Sequence, residues 1–504
     1  MKKLISILLT ITMLLCIIAS VPFSASAATT NKVESGFSYD DSQGTWIYDL
    51  INDSTATRIR YYIGTETEIK IPAIIPHKIS DKTTDLPVIE IGNGVTGDLF
   101  EEVDDTLTKV IIPDGVKVIG TNTFSHCYNL KEVNMPKALE VIGNYAFYCC
   151  YSLTSITLPD GLRTIGNYAF NECSALTNVT LSDGLKTIGN YAFWSCKAFT
   201  DITIPDSVTS IGENAFYGCT ALTSVTLPNN IKTIPKSMFA VCALTSITIP
   251  ESVTSIGEWA FSSCRSLTSI TIPDKVTKIE NGAFYNCNSL TNVILPDSLT
   301  TIDSNAFYKC SSLTDITLPD SLTTIGDNVF SYCYKAFTDV IIPDSVTTIG
   351  YSAFYGCSSL TSITIPDSVT SIANSTFRGC VALTSITIPD SVTSIGIGAF
   401  ENCSKLSDVY YTGSEDDWND ISISSINNKY LTNATIHFNY SKPIAGDVTG
   451  DGEVAVNDVI YVLKYIVGNV ELTEEQFAKA DLNGDSKITI VDAIMVQRIV
   501  LDMV

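Results

Sequence analysis

Histidine is nearly missing from this chain: the 504 residues hold three, His77, His126 and His437, at unrelated positions. Ser-His-Asp and Cys-His catalysis both need a histidine held by a neighbour, and no such grouping is legible. Basic residues are scarce as well. Thirty Lys and Arg stand against 54 Asp and Glu, for a net charge of −24. So acidic a chain argues against nucleic acid and anionic membranes as partners. Long apolar runs are equally rare. One occurs, at residues 4–18 behind Lys2 and Lys3, and Ala25-Ser26-Ala27 follow it. It is shorter than the roughly 20 residues that span a bilayer, and its flanks are those of a secretory signal peptide. Residues 1–27 are therefore expected to be removed on export, with no membrane insertion of the remainder.

What the chain has in abundance is repetition. A unit of 23 residues, Leu-Thr-x-Ile-Thr-Ile-Pro-Asp-x-Val-x-x-Ile-Gly-x-x-Ala-Phe-x-x-Cys-x-x, recurs thirteen times over residues 107–405. Every copy keeps its Phe, from Phe124 to Phe400, and the Ile before the Gly column, from Ile119 to Ile395. No single unit of this kind buries its own apolar face, whereas stacked units share one continuous core. Leu383, Ile386, Ile388, Val392, Ile395 and Phe400 are the inward set of one turn. Residues 384–388 alternate and are rich in Thr and Ile, which predicts a short strand, and Pro389-Asp390 ends it. The expected fold is a mainly β leucine-rich-repeat solenoid of short parallel strands.

Other columns repeat as well. Thirteen Cys, from Cys127 to Cys403, follow the core Phe by three residues. A buried ladder of small apolar thiols is the preferred reading; disulfides between rungs remain open by distance, and zinc does not suit a single file. An acid follows the Pro column in eleven units, as a turn residue or as a weak cation rail. Tyr145, Tyr168 and Tyr191 share one column, and Tyr148, Trp194, Tyr217, Tyr285, Tyr308 and Tyr355 another. These are edge packing or a platform for sugar rings or a partner protein.

The repeat closely resembles the BspA-like bacterial surface leucine-rich repeats. Upstream, residues 28–106 read as an N-terminal cap with a divergent repeat. Downstream, residues 406–440 read as a closing cap, with Trp418 as its plug, and residues 441–444 as a linker.

The language then changes. Asp447, Asp451 and Asp458 occupy positions 1, 5 and 12 of a loop, and Asp481, Asp485 and Asp492 repeat the pattern 34 residues later. Each loop leads into an apolar-periodic helix, at residues 458–467 and 492–501. Twelve-residue loops of this kind fold hard oxygens around Ca²⁺. Thr449 and Asn483 stand at position 3, Glu453 and Lys487 offer carbonyls from position 7, and Thr489 takes position 9 of the second loop. Two calcium ions are expected. Residues 445–504 strongly resemble a type I dockerin, with Asp at position 12 and no entering helix. That resemblance implies docking onto a cohesin domain of a scaffoldin in a polysaccharide-degrading, cellulosome-type complex. It places partner choice on Val456, Asn457, Leu463 and Lys464 in the first half and Ile490, Val491, Gln497 and Arg498 in the second.

The expectation is thus a secreted, non-catalytic binding protein, its solenoid engaging a protein or glycan and its tail attaching it to a complex. A cell-surface adhesin is the main alternative. An enzyme is the lesser one, since residues 28–106 carry acids such as Asp40, Asp41, Glu101 and Glu102 without a motif.

Overall fold

The computed structural model describes residues 34–92, 99–101, 103–335, 338–441, 446–451, 453–482 and 487–501. The expected signal peptide and linker positions 442–444 lie outside these residues. Two compact units divide the chain, Met1–Ala336 and Phe337–Val504.

The first unit opens with an antiparallel meander of β1 (Glu34–Asp40), β2 (Thr45–Ile51) and β3 (Ala56–Ile63). Asp41 makes its tight turn, accepting the backbone N–H of Gln43 at 2.8 Å and Trp46 Nε1 at 2.9 Å. Trp46, Leu50, Ile59 and Tyr62 are fully buried beneath it. After β4 (Glu68–Lys70), β5 (Ile74–Ile79) and β6 (Lys82–Ile91) form a second hairpin. β3 then pairs in parallel with β6, which pairs in parallel with the first rung at Val118–Ile119. The meander thus caps one end of the parallel stack.

From there each rung but one contributes two strands; the rung at Leu244 lacks the expected first strand over residues 246–249. One ladder holds the expected strand, as where Ser155–Thr157 pairs with Asn178–Thr180. The other was not anticipated. It is built from two-residue strands ending at the invariant Ile, Val141–Ile142, Thr164–Ile165 and Thr187–Ile188 among them. Every pairing matches residues one repeat apart with no slip. β-Branched pairs suit this pleat, and the Gly that follows answers a contact: a Cβ on Gly166 would meet the carbonyl carbon of Gly143 at 2.6 Å.

The core is a file of rings. Within the first unit Phe100, Phe124, Phe147, Phe170 and their successors to Phe330 stack with centroids 5.0–5.8 Å apart. Phe100 joins the file, so the divergent segment supplies a rung of its own. In the second unit Phe354, Phe377 and Phe400 continue the pattern at 5.7 and 5.5 Å. Thiols along the column point back one rung and donate to a phenylalanine carbonyl, such as Cys150 to Phe124 at 3.1 Å and Cys173 to Phe147 at 3.2 Å, whereas Cys149 turns to Glu172. That carbonyl already accepts a turn N–H, as Phe147 does from Cys150 at 3.3 Å. A small apolar side chain with a weak donor therefore fits the column. All fourteen cysteines from Cys127 to Cys403 are buried thiols.

In the second unit the strands Ser362–Thr364, Ser385–Ile388, Asp408–Tyr411 and Thr435–His437 stack in parallel. Two short helices follow the last full rung, α1 (Glu415–Asn419) with a Ser414/Asp417 capping box, and α2 (Lys429–Thr432). Trp418, the expected plug, is half-buried. The fully covered groups are Tyr411 and Leu431, and Trp418 leans edge-on against Tyr411 at 5.1 Å. Asn428 closes the backbone. Its Oδ1 accepts Phe400 N–H at 3.1 Å, and its Nδ2 donates to the Gly396 and Ser424 carbonyls at 2.8 Å. It replaces the carbonyl that the next rung supplies elsewhere, such as Ala399 O for Phe377 N–H.

The tail is all-α: α3 (Val456–Ile466), α4 (Glu474–Ala480) and α5 (Ile490–Val500). Val448, Val462, Ala480, Ala493 and Val496 form its core. α3 and α5 start two residues earlier than their predicted helices, because Asp458 and Asp492 cap them from inside the first turn. Among the described residues no helix is long and apolar enough to cross a membrane.

Three outcomes are expected. Phe216→Ala, between rings 5.4 and 5.8 Å away, should cost about 3–5 kcal/mol in denaturant unfolding. Burial pushes the Cys264 and Cys333 thiols up from 9.0 to about 12. The fourteen thiols should resist iodoacetamide at pH 8 until denaturant is added. As pH rises from 9 towards 12, unfolded thiols lose protons before folded ones, so stability should fall across that window.

Candidate metal loops and helix faces of the C-terminal domain

The first loop turns back on itself around Gly450, whose φ of +75° suits glycine. This folding brings Asp447, Asp451 and Asp458 together, with one carboxylate oxygen of each within 4.8 Å of the others. Asp447 and Asp458 are 3% and 0% exposed. Neutral donors hold much of their orientation. Asp447 Oδ1 accepts the N–H groups of Gly450 at 2.7 Å and Asp451 at 3.1 Å. Asp458 Oδ1 accepts Thr449 N–H and hydroxyl at 2.8 and 2.9 Å, while its Oδ2 caps α3 through Ala455 N–H at 2.9 Å. The Thr449 hydroxyl is thus directed at Asp458, and Glu453 N–H donates to Asp451 Oδ1 at 3.1 Å.

In the second loop Asp481, Lys487, Thr489 and Asp492 are described, whereas Asn483 and Asp485 lie outside the described residues. Thr489 caps α5 and sends its N–H and hydroxyl to Asp492 Oδ2 at 2.8 and 3.1 Å. Asp492 is fully buried, and among the described residues its Oδ1 has no hydrogen-bond partner. A buried carboxylate oxygen without a partner is costly. Hard oxygen donors that converge in the first loop, with a second buried carboxylate at the matching place in the other, fit a divalent cation such as Ca²⁺.

The helix faces are equally specific. Val456, Leu463, Ile490 and Val491 are 61, 37, 55 and 49% exposed, and Lys464, Gln497 and Arg498 are exposed with them. Asn457 is exposed, yet its Nδ2 is turned into the first loop, donating to Asp451 Oδ2 at 2.6 Å. Sequence reasoning passed over Ile460, Val467, Ile494 and Leu501, exposed apolar residues on or just after the same helices. Their signal was a hydrophobic pattern continuing around the helix beyond the core stripe.

On the solenoid, Tyr145, Tyr168 and Tyr191 stack at 4.7 and 4.6 Å with planes 4° apart, and Tyr285 lies on Tyr308 at 4.9 Å. These rings cover one another's faces. The strand-side threonines donate to the preceding rung's carbonyls, Thr177 to Thr154 at 3.0 Å and Thr384 to Thr361 at 3.0 Å.

Residues 95–223, 209–336 and 332–442 match the family model of the BspA type leucine rich repeat region. The chain belongs to that family. Residues 445–501 match the dockerin type I domain, so a BspA-type array is followed by a type I dockerin. Among solved structures, a leucine-rich repeat protein from Bacteroides ovatus is 26% identical with a TM-score of 0.57, over 80% of this chain and 100% of that one. A leucine rich cell surface protein from Faecalibacterium prausnitzii is 30% identical with a TM-score of 0.45, over 78% and 99%. No curated relative matches the chain. BspA-type repeats and dockerins are binding modules, dockerins bind calcium, and the dockerin implies a cohesin partner.

Asp458→Asn keeps an acceptor for the α3 cap but removes a buried charge. It is expected to weaken calcium binding about tenfold or more, and to shrink the rise in melting temperature that calcium gives the dockerin.

Proposed function

We propose that this is an exported, non-catalytic binding protein. Residues 28–106, 107–405 and 406–440 are its cap, array and closing cap, and residues 445–504 its dockerin. The array holds a protein or glycan ligand. The dockerin attaches it to a cohesin of a scaffoldin in a polysaccharide-degrading complex. Two calcium ions, one per loop, order that attachment, with Asp447, Thr449, Asp451, Glu453 and Asp458 serving one and Asp481, Asn483, Asp485, Lys487, Thr489 and Asp492 the other.

The observation that carries this reading is the exposed apolar file on α3 and α5. Val456 and Leu463 on one helix, and Ile490 and Val491 on the other, stand in water directly beyond carboxylates that fix each helix start. Such a face is stable to expose only where a partner covers it. Lys464 and Arg498 at its edge supply charge for specificity. The acids of the N-terminal cap have structural work, Asp40 accepting the Thr45 hydroxyl at 2.6 Å and Asp41 holding its turn, which favours a cap over a catalytic domain.

Cohesin-coated beads should retain the full chain in calcium and release it in excess EDTA, with the array still folded by circular dichroism. Leu463→Asp paired with Gln497→Asp should reduce retention roughly a hundredfold. Undiminished capture in EDTA would refute calcium-ordered docking.

A further inference from the structure

The dockerin's two halves are not equivalent in charge. Lys479, near the end of α4, is 8% exposed, and its Nζ lies 3.9 Å from Asp447 Oδ2 in the first loop. A Cβ on Gly450 would stand 4.0 Å from the same ammonium. The backbone fixes this approach, since Gly446 N–H donates to the Lys479 carbonyl at 2.8 Å. The halves repeat every 34 residues, so the place of Lys479 is taken in the first half by Ala445. One loop therefore carries a buried positive charge at its wall that the repeat does not give to the other.

Asp447, Asp451 and Asp458 gather carboxylates within 4.8 Å. Mutual repulsion of buried like charges needs an opposing charge. The hydrogen-bond donors described around them are neutral: the Gly450, Asp451, Thr449 and Ala455 N–H groups, the Thr449 hydroxyl and the Asn457 amide. These serve the carboxylates with or without a metal. An ammonium does not. It attracts Asp447 while the loop lacks an ion and repels a divalent ion that arrives.

We infer that Lys479 is a built-in counter-ion of the first loop. It holds the carboxylates together in the calcium-free chain and lowers the loop's calcium affinity. The inference rests on the reading that these loops bind calcium. The first loop then keeps much of its shape without metal, and its occupancy responds to higher calcium concentrations than it would with a neutral residue at 479.

The test is calorimetric titration of the full chain with calcium chloride, alongside Lys479→Met, Lys479→Gln and Lys479→Arg. Removing the charge, by either Met or Gln, should tighten one binding phase on the order of tenfold and leave the other unchanged. Arg should behave like the parent. The gain should vanish when Asp458→Asn is added, which assigns it to the first loop. In EDTA, amide exchange over residues 446–458 should be faster in the neutral variants than in the parent. A variant that folds only with calcium shows the same effect at its limit. Unchanged or weaker calcium binding in both neutral variants overturns the role of Lys479 while leaving the dockerin's calcium loops in place. No calcium heat from the parent chain overturns the metal reading, and this inference with it.

Discussion

Everything in the array depends on unslipped register between one rung and the next. A rung of 23 residues leaves its phenylalanine ring, turn N–H groups and strand edges without partners of its own. The neighbour supplies all of them at once: ring on ring near 5 Å, Phe147 N–H to Ala169 O at 2.7 Å, and the Cys173 thiol to Phe147 O. A one-residue slip would break each of these together, and this explains why the Phe and Ile columns admit no exception. It also makes the ends the difficult places. At one end an antiparallel meander presents β3 as a template for the parallel stack. At the other, the amide of Asn428 satisfies a backbone donor that would otherwise face no rung.

A related constraint governs the dockerin. Its helices α3 and α5 start at buried carboxylates, and a buried carboxylate is stable only when something positive or hydrogen-donating meets it. Asp458 is met on both oxygens, and Asp492, among the described residues, on one. The same residues therefore cap α3 and α5 and, on the proposed reading, hold the cation beside the exposed faces of those helices. On the proposed reading, metal site and docking surface share one piece of backbone, which links calcium binding to partner binding.

Much of this was legible in the sequence because stacking makes columns. The inward Leu, Ile, Val and Phe, the strand before Pro and the paired acidic loops all repeat, and repetition separates constraint from accident. The second ladder was not legible, since two-residue strands such as Thr164–Ile165 are too short for alternation to show. Neither was the left-handed backbone within each turn, where Tyr145, Tyr168 and Tyr191 have φ near +55°. Asn and Gly recur in that column, as Asn214 and Gly282, and this was the available clue. Single events left no pattern: Asn428 at the end of the stack, Asn457 turned into its loop, Lys479 against Asp447. Tyr411 displaced Trp418 as the buried cover because its strand continues the ladder, while Trp418 sits on a helix outside it.

The central claim is that metal at the buried carboxylates orders the docking helices, while the array is ordered by its own stacking. Hydrogen exchange on the full chain, with calcium and then with EDTA, tests it most directly. The account predicts that amides of α3 and α5 lose protection on chelation, while the amides of the phenylalanine column, from Phe124 to Phe400, keep theirs. Equal protection of α3 and α5 in both conditions would contradict it.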